Sequence, residues 1–192
     1  CHKVGIVGEI FLKFNPFAQK DVTSWLINQK IEVIPPLISD FFMQGFVNLK
    51  VRQNQHLQRK LTPDFVIDWL YKKVQKQINK VNEIGKSFNY FIPFESIFEK
   101  AEKAKQVISL GTQFGEGWLI SGEILSFASQ GVNHVISLQP FGCIANHIVE
   151  KGIEKRIKSL CPQMNILSLD FDSSISDCLL YTSPSPRDTE RS

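Results

Sequence analysis

Short apolar runs alternate with amphipathic stretches at both ends of this chain, while its middle is rich in lysine, glutamine and asparagine. Residues 4–8 predict a buried strand that ends in glycine. Residues 21–27 predict a helix, because Val22, Trp25 and Leu26 recur at i, i+3 and i+4. Residues 31–34 predict a second strand, which two prolines end. A β-α-β unit of this length predicts a parallel, right-handed crossover.

The same alternation resumes after residue 106. A helix is predicted around residues 119–127 with Gly131 as its C-cap, and a strand over residues 132–138. A helix over residues 145–160 and a strand over residues 165–169 follow. The helix is expected to bury an apolar stripe and to turn its charged residues, Glu150 among them, to water. That stripe consists of Ile144, Ile148, Ile153, Ile157 and Leu160. These elements predict an α/β fold with a Rossmann- or flavodoxin-like parallel sheet of strand order 2-1-3-4.

The middle of the chain predicts a helical insertion over residues 39–105, between a first β-α-β unit (1–38) and a second α/β half (106–177). Phe65, Trp69, Lys72 and Val74 lie in one stretch with apolar residues at helical spacing, after the helix-start sequence Thr62-Pro63-Asp64. Residues 94–98 begin another helix. The lysines and glutamines of this region are expected to form a solvated face.

Both ends of the sequence read as interrupted. The chain starts with Cys1 and reaches a strand almost at once, which indicates a fragment. Residues 178–192 lose apolar periodicity after Tyr181 and resemble the translated read-through of a sequencing adaptor, so we expect a non-native tail. The alternative is a native, disordered tail rich in serine and proline.

Composition excludes several classes of protein. The 192 residues are 43% hydrophobic and 21% charged with a net charge of +3, which indicates a globular protein and neither a nucleic-acid nor a membrane partner. Apolar runs are too short for a membrane span, and no signal peptide is evident. The four cysteines fit neither a disulfide framework nor a zinc site, so a reducing cytoplasm is expected.

Candidate chemistry concentrates where the strand order reverses. The run Gln139-Pro140-Phe141-Gly142-Cys143 follows a predicted strand and precedes a helix, and Gly8-Glu9 ends the neighbouring strand. Ligands of open α/β sheets bind at such a switch point. A helix N-terminus favours a thiolate, so Cys143 is a candidate redox thiol or metal ligand; the alternative is a buried structural cysteine. Gly8 and Gly142 would let the backbone approach a ligand closely.

Other polar residues near this point have simpler explanations. His147 lies four residues after Cys143, so the two are candidates for a Cys/His metal pair; the alternative is an ordinary histidine near a helix N-terminus. Asn146 is a candidate for ligand contact, and the alternative is helix capping. Glu9, at a strand end, and Glu116 are both candidates for cofactor binding, with an acid at the start of a helix as the simpler explanation for Glu116. Asp170 and Asp172 could approach Mg²⁺, although acids at a strand end are common. Phosphate-loop, dinucleotide-binding and nucleophile-elbow motifs are missing from the sequence.

Several blocks of the sequence resemble one family. They are residues 4–10 (Val-Gly-Ile-Val-Gly-Glu-Ile), residues 13–18 (Lys-Phe-Asn-Pro-Phe-Ala), residues 115–119 (Gly-Glu-Gly-Trp-Leu), and residues 139–143 with Asn146-His147 and Lys151-Gly152. In this order they resemble the 2-hydroxyacyl-CoA dehydratase activases, in the region downstream of the ATPase units. That region is similar to the iron–sulfur subunits of the dehydratases and of benzoyl-CoA reductases.

The resemblance implies a fragment of an anaerobic, iron–sulfur electron-transfer protein in which Cys143 is one ligand of a [4Fe–4S] cluster. The fragment itself lacks ATPase motifs and a second matching cysteine. The remaining ligands would come from upstream ATPase and cysteine-bearing domains, and a dehydratase is the implied partner. The alternative is a non-catalytic binding module in which Cys143 is structural and the helical insertion docks a partner. A weaker alternative is a flavodoxin-like domain for a phosphorylated ligand.

Overall fold

The computed structural model describes residues 2–57 and 63–171, except for the side chains of residues 64 and 144–148. Within these residues a single sheet contains four parallel strands in the order β2-β1-β3-β4, so the predicted order 2-1-3-4 is confirmed. The strands are β1 (Lys3–Gly8), β2 (Glu32–Ile34), β3 (His134–Pro140) and β4 (Asn165–Phe171). The helices are α1 (Ile10–Phe14), α2 (Val22–Asn28), α3 (Ile38–Asn54), α4 (Asp64–Gly85), α5 (Ile97–Ala104), α6 (Trp118–Ser129) and α7 (Ile144–Leu160).

Period-two alternation along the strands supplies both faces of the sheet with apolar side chains. Val7 and Val135 pack against α6 and α7 on one face. Ile6 and Ile136 belong to the opposite face, where α1 and α2 contribute Leu12 and Leu26. Helices therefore cover both faces, as expected for a parallel sheet.

The segment between β2 and α6 is helical, as predicted. α3, α4 and α5 share a core with the start of α6, centred on buried Met43, Ile97 and Trp118. The Trp118 indole N–H donates to Asn48 Oδ1 at 2.8 Å, which ties α6 to α3. A reciprocal capping box between Ser96 and Glu99 starts α5.

Two expectations about burial are wrong. Lys100 and Gln44 are buried, although the lysines and glutamines of this region were expected in water. In the predicted helical stretch that contains Phe65 and Trp69, α4 buries Ile67 and Ile78, and Phe65 and Trp69 are 72% and 54% exposed. On α7, Ile153 and Ile157 are buried as expected, but Glu150 is buried and Leu160 is exposed, contrary to expectation. The side chains of Ile144 and Ile148 lie outside what the structure describes. The short helix α1 was not predicted at all.

Within the described ranges, no helix combines the length and the apolar character that crossing a membrane requires.

Candidate functional site at the carboxyl edge of the sheet

The ends of β1 and β3 meet at the predicted switch point. Gly8 pairs with Leu138, and the Glu9 N–H donates to the Leu138 carbonyl at 2.9 Å. Gly8 has φ +106°, and a Cβ there would lie 2.2 Å from the Leu138 oxygen. Glycine is therefore required for close approach to β3; an additional role of Gly8 toward a ligand stays a prediction.

Two carboxylates converge on the N-terminus of α1. Glu9 is its N-cap, and its side chain accepts from the Leu12 N–H at 3.0 Å. Glu116 Oε1 accepts from the Ile10 N–H at 2.7 Å. Glu116 thus stabilises the start of α1, not the start of the helix that follows it in sequence. The structure brings Glu9 and Glu116 together, as a shared site would require.

Burial dominates the electrostatics of Glu116. The side chain is buried, and desolvation raises its pKa, while the Ile10 N–H and the positive charge of Lys13 act in the opposite direction. The negative charge of Glu9 adds to the upward shift. A carboxyl with a raised pKa beside a second carboxyl is the kind of perturbed group that marks a candidate site.

Cys143 lies at the junction that the sequence predicts. It is the N-cap residue of α7, half-buried, and outside any disulfide among the described cysteines. Gly142 before it is exposed, with φ +78° and open space around its Cα. The loop is fixed by hydrogen bonds from Phe141 N to Phe171 O (2.8 Å) and from Cys143 N to Pro140 O (3.1 Å). The thiol is thereby placed at the carboxyl edge of β3.

The backbone of Asn146 and His147 belongs to the first turns of α7. Their side chains lie outside what the structure describes, so their proposed roles stay predictions. Cys1, Asp172 and Cys178 also lie outside the described residues.

The side chain of Gln139 belongs to a polar cluster that the sequence did not predict. Its amide N–H₂ donates to the Glu150 carboxylate, which also accepts from Ser137 at 2.5 Å and from Ser168. The strand register places Ser137 beside Ser168 and Gln139 beside Asp170. The period-two polar positions of both strands are the pattern that could have indicated this cluster.

Glu150 is the centre of this cluster, which also contains Ser137, Gln139, Ser168 and Asp170. It is 2% exposed, and its three hydrogen-bond donors are neutral. Burial raises its pKa, partly opposed by the serine hydroxyls, while Asp170 and Glu154 add to the rise. Gln139 is also fully buried, and its Oε1 accepts no hydrogen bond from the described residues.

The stability of the folded chain is expected to depend on Glu150 through pH. Between the ordinary pKa of 4.5 and the raised folded value, the native state holds a proton that the unfolded state has lost, so stability falls as pH rises. In urea unfolding, the free energy of unfolding of Glu150→Gln should rise relative to that of the parent chain over this interval, by up to about 1.4 kcal/mol per pH unit. Glu83→Gln removes the same charge from an exposed position of α4 and is the control; equal pH dependence in both variants would contradict the assignment.

Two buried ion pairs lie behind the site. Lys13 of α1 donates to Glu123 of α6 at 3.3 Å, and Lys100 of α5 is paired with Asp40 of α3. Lys100 and Asp40 also act electrostatically on Glu123. No local sequence pattern predicts these pairs, whose partners are separated by 110 and 60 positions.

The described residues do not form a complete metal site. Among the side chains that the structure describes, which exclude that of His147, no group of three or more from His, Cys, Asp or Glu could hold a metal ion. Cys143 and Cys161 flank the 17-residue helix α7, which separates them by about 25 Å. A cubane cluster needs four ligands within a few ångströms. Cys143 could therefore be at most one ligand of a cluster.

Comparison with protein-family models, with curated proteins and with solved structures finds no match for this chain. Its fold class follows from the strand order and the helices on both faces. Its chemistry has to be inferred from the residues at the carboxyl edge.

Proposed function

We propose that this chain is the α/β part of an iron–sulfur electron-transfer protein of the 2-hydroxyacyl-CoA dehydratase activase type. Cys143 would supply one thiolate ligand to a [4Fe–4S] cluster. The observation that carries the proposal is the half-buried position of Cys143 at the N-cap of α7, on the carboxyl edge of the sheet. When bound, such a cluster would supply one-electron transfer.

The local backbone suits a thiolate. The first turn of α7 directs backbone N–H groups and the positive end of the helix dipole toward the Cys143 position, which suits the negative charge of a bound cluster. Gly142, the residue before Cys143, is exposed, and no atom lies within 4 Å of the position that a Cβ would take there. Glu9 and Glu116 hold the N-terminus of α1 with their side chains, and the Glu9 N–H donates to Leu138 O of β3, so the neighbouring strand end is fixed.

The remaining ligands would come from cysteines outside the described residues. We infer upstream ATPase and cysteine-bearing domains of the same protein, a dehydratase as the electron acceptor, and a cytoplasmic location. The resemblance of residues 139–143 to the activases supports these assignments.

The test is iron binding by the longer protein, reconstituted anaerobically with iron and sulfide. Cys143→Ala is expected to lower bound iron and acid-labile sulfide severalfold and to bleach the visible absorption of the cluster, because a cluster that lacks one thiolate is labile. Cys161→Ala, at the other end of α7, is the matched control and should leave both unchanged. Full iron content and an unaltered spectrum in Cys143→Ala would refute the ligand assignment.

A further inference from the structure

Helix α4 has a second apolar stripe that the fold does not use. Leu70, Val74, Val81 and Ile84 are 45%, 37%, 49% and 68% exposed, and Gln77 lies between them. We call these five residues the docking stripe. Large aliphatic side chains exposed in a row on one helix indicate an interaction surface.

A different side of α4 holds it to the rest of the protein. Ile67 and Ile78 are buried, and Tyr71 packs edge-on against Phe46 and Phe98. These residues recur at helical spacing, and their stripe borders the docking stripe on one flank. Packing against the helices of the insertion therefore explains why Ile67, Tyr71 and Ile78 are apolar. It does not explain the apolar residues of the docking stripe.

The spacing of the docking stripe is that of a coiled-coil seam. Positions 70, 74, 77, 81 and 84 are separated by steps of four, three, four and three residues. This 3.5-residue average keeps a seam aligned with a second helix along three turns or more. Polar Gln77 at its centre is a feature that specifies helix pairing at some cost in stability. The geometry points to a helix as the occupant.

Charge decides which kind of helix fits. Lys73 and Lys80 occupy the positions that flank the open side of the docking stripe, and both are exposed. Lys73 also lies over the ring of Trp69 at 3.9 Å, which keeps its ammonium group at this edge. Between Asp68 and Glu83 every charged residue of α4 is a lysine. Flanking charges of a seam select partners of opposite sign.

We propose that the docking stripe of α4 binds an amphipathic helix of another protein, whose apolar seam is flanked by Glu or Asp. A second copy of this chain fits poorly. In antiparallel pairing, Lys73 and Lys80 would face the same lysines of the copy. In parallel pairing, they would face the positions of Tyr71 and Ile78 of the copy, and these side chains are already packed inside the fold. The proposal does not rest on the cluster assignment.

An anionic membrane surface is the other occupant that lysines and aliphatic residues can suit. A membrane-binding helix lies flat, with a broad apolar face between two basic borders. Here one border of the docking stripe is the body of the protein, and burying Gln77 in lipid would desolvate its amide. A narrow seam with one basic border favours the helix.

The experiment titrates the chain into two fluorescently labelled synthetic peptides of about three heptads, with identical Leu seams and either Glu or Lys at the flanking positions. Fluorescence anisotropy should show the Glu peptide binding at least about tenfold more tightly than the Lys peptide. Val81→Glu should weaken binding of the Glu peptide by about tenfold or more, because it places an unpaired charge in the seam. Equal affinity for both peptides would overturn the proposal.

Charge reversal tests the stripe itself. The double variant Lys73→Glu/Lys80→Glu should invert the preference, so that the Lys peptide binds more tightly. Lys72→Glu/Lys76→Glu makes the same change in net charge on another side of α4 and should leave the preference unaltered. Unchanged preference in the first variant, dimerisation of the chain through Val81 in sedimentation velocity, or Val81-dependent binding to phosphatidylserine vesicles would each reject a separate acidic helix as the occupant.

Discussion

Lys13→Met is expected to lower the free energy of unfolding by about 3 kcal/mol at neutral pH. The ammonium group of Lys13 is the direct partner of Glu123, and both side chains are almost completely buried. Burial already raises the pKa of Glu123, and the positive charge of Lys13 opposes that rise. Without Lys13 the carboxylate takes up a proton, which at pH 7 costs about 3.4 kcal/mol for an ordinary pKa of 4.5.

The pH dependence distinguishes this cause from simple loss of packing. In Lys13→Met the deficit should shrink as pH falls toward 4.5, because the protonation of Glu123 becomes less costly. The double variant Lys13→Met/Glu123→Leu should recover most of the loss in urea unfolding. The exposed pair Lys86–Glu83 provides a control, and Lys86→Met should change stability by less than about 0.5 kcal/mol. A pH-independent deficit in Lys13→Met would contradict the electrostatic explanation.

The sheet could be predicted from the sequence because parallel strands that are buried on both faces leave a dense apolar pattern. Residues 4–8 and 132–138 have this pattern, and the helices between the strands allow neighbouring strands to pair in parallel. The structure starts and ends β3 two residues later than predicted, at His134 and Pro140. The continuation of pairing along Gln139 and Pro140 depends on β4, which no local pattern reports.

Buried polar residues could not be predicted, since their burial depends on partners that are distant in sequence. Glu150 lies in a helix that is rich in exposed charges, and nothing local distinguishes it from Glu154. Ser137 of β3 and Ser168 of β4 donate hydrogen bonds to its carboxylate from the sheet. Lys100 was assigned to water for the same reason, because its partner Asp40 lies on another helix.

In the candidate site, too, the features that depend on local sequence could be predicted and the long-range contacts could not. The position of Cys143 at the carboxyl end of a strand and the N-terminus of a helix could be predicted from local pattern. The hydrogen-bond partners of the side chains could not be predicted. Gln139 donates to Glu150, and Glu116 accepts from the first turn of α1, 106 residues earlier in the chain. That last contact links the two α/β halves on either side of the insertion, so the edge of the sheet is built by both.

Gly8→Ala is expected to cost more than about 3 kcal/mol, since the residue has φ +106° and its new Cβ would lie 2.2 Å from a backbone oxygen of β3. Relief requires separating β1 from β3 at Leu138, where the wall of the site is formed. Gly142→Ala keeps the positive φ in open space and should cost only about 1 kcal/mol. Gly45→Ala, in α3 with open space around it, should stabilise by up to about 1 kcal/mol. Denaturant unfolding of the three variants measures this order, and a Gly8→Ala chain as stable as Gly142→Ala would show that the strand ends are not in close contact.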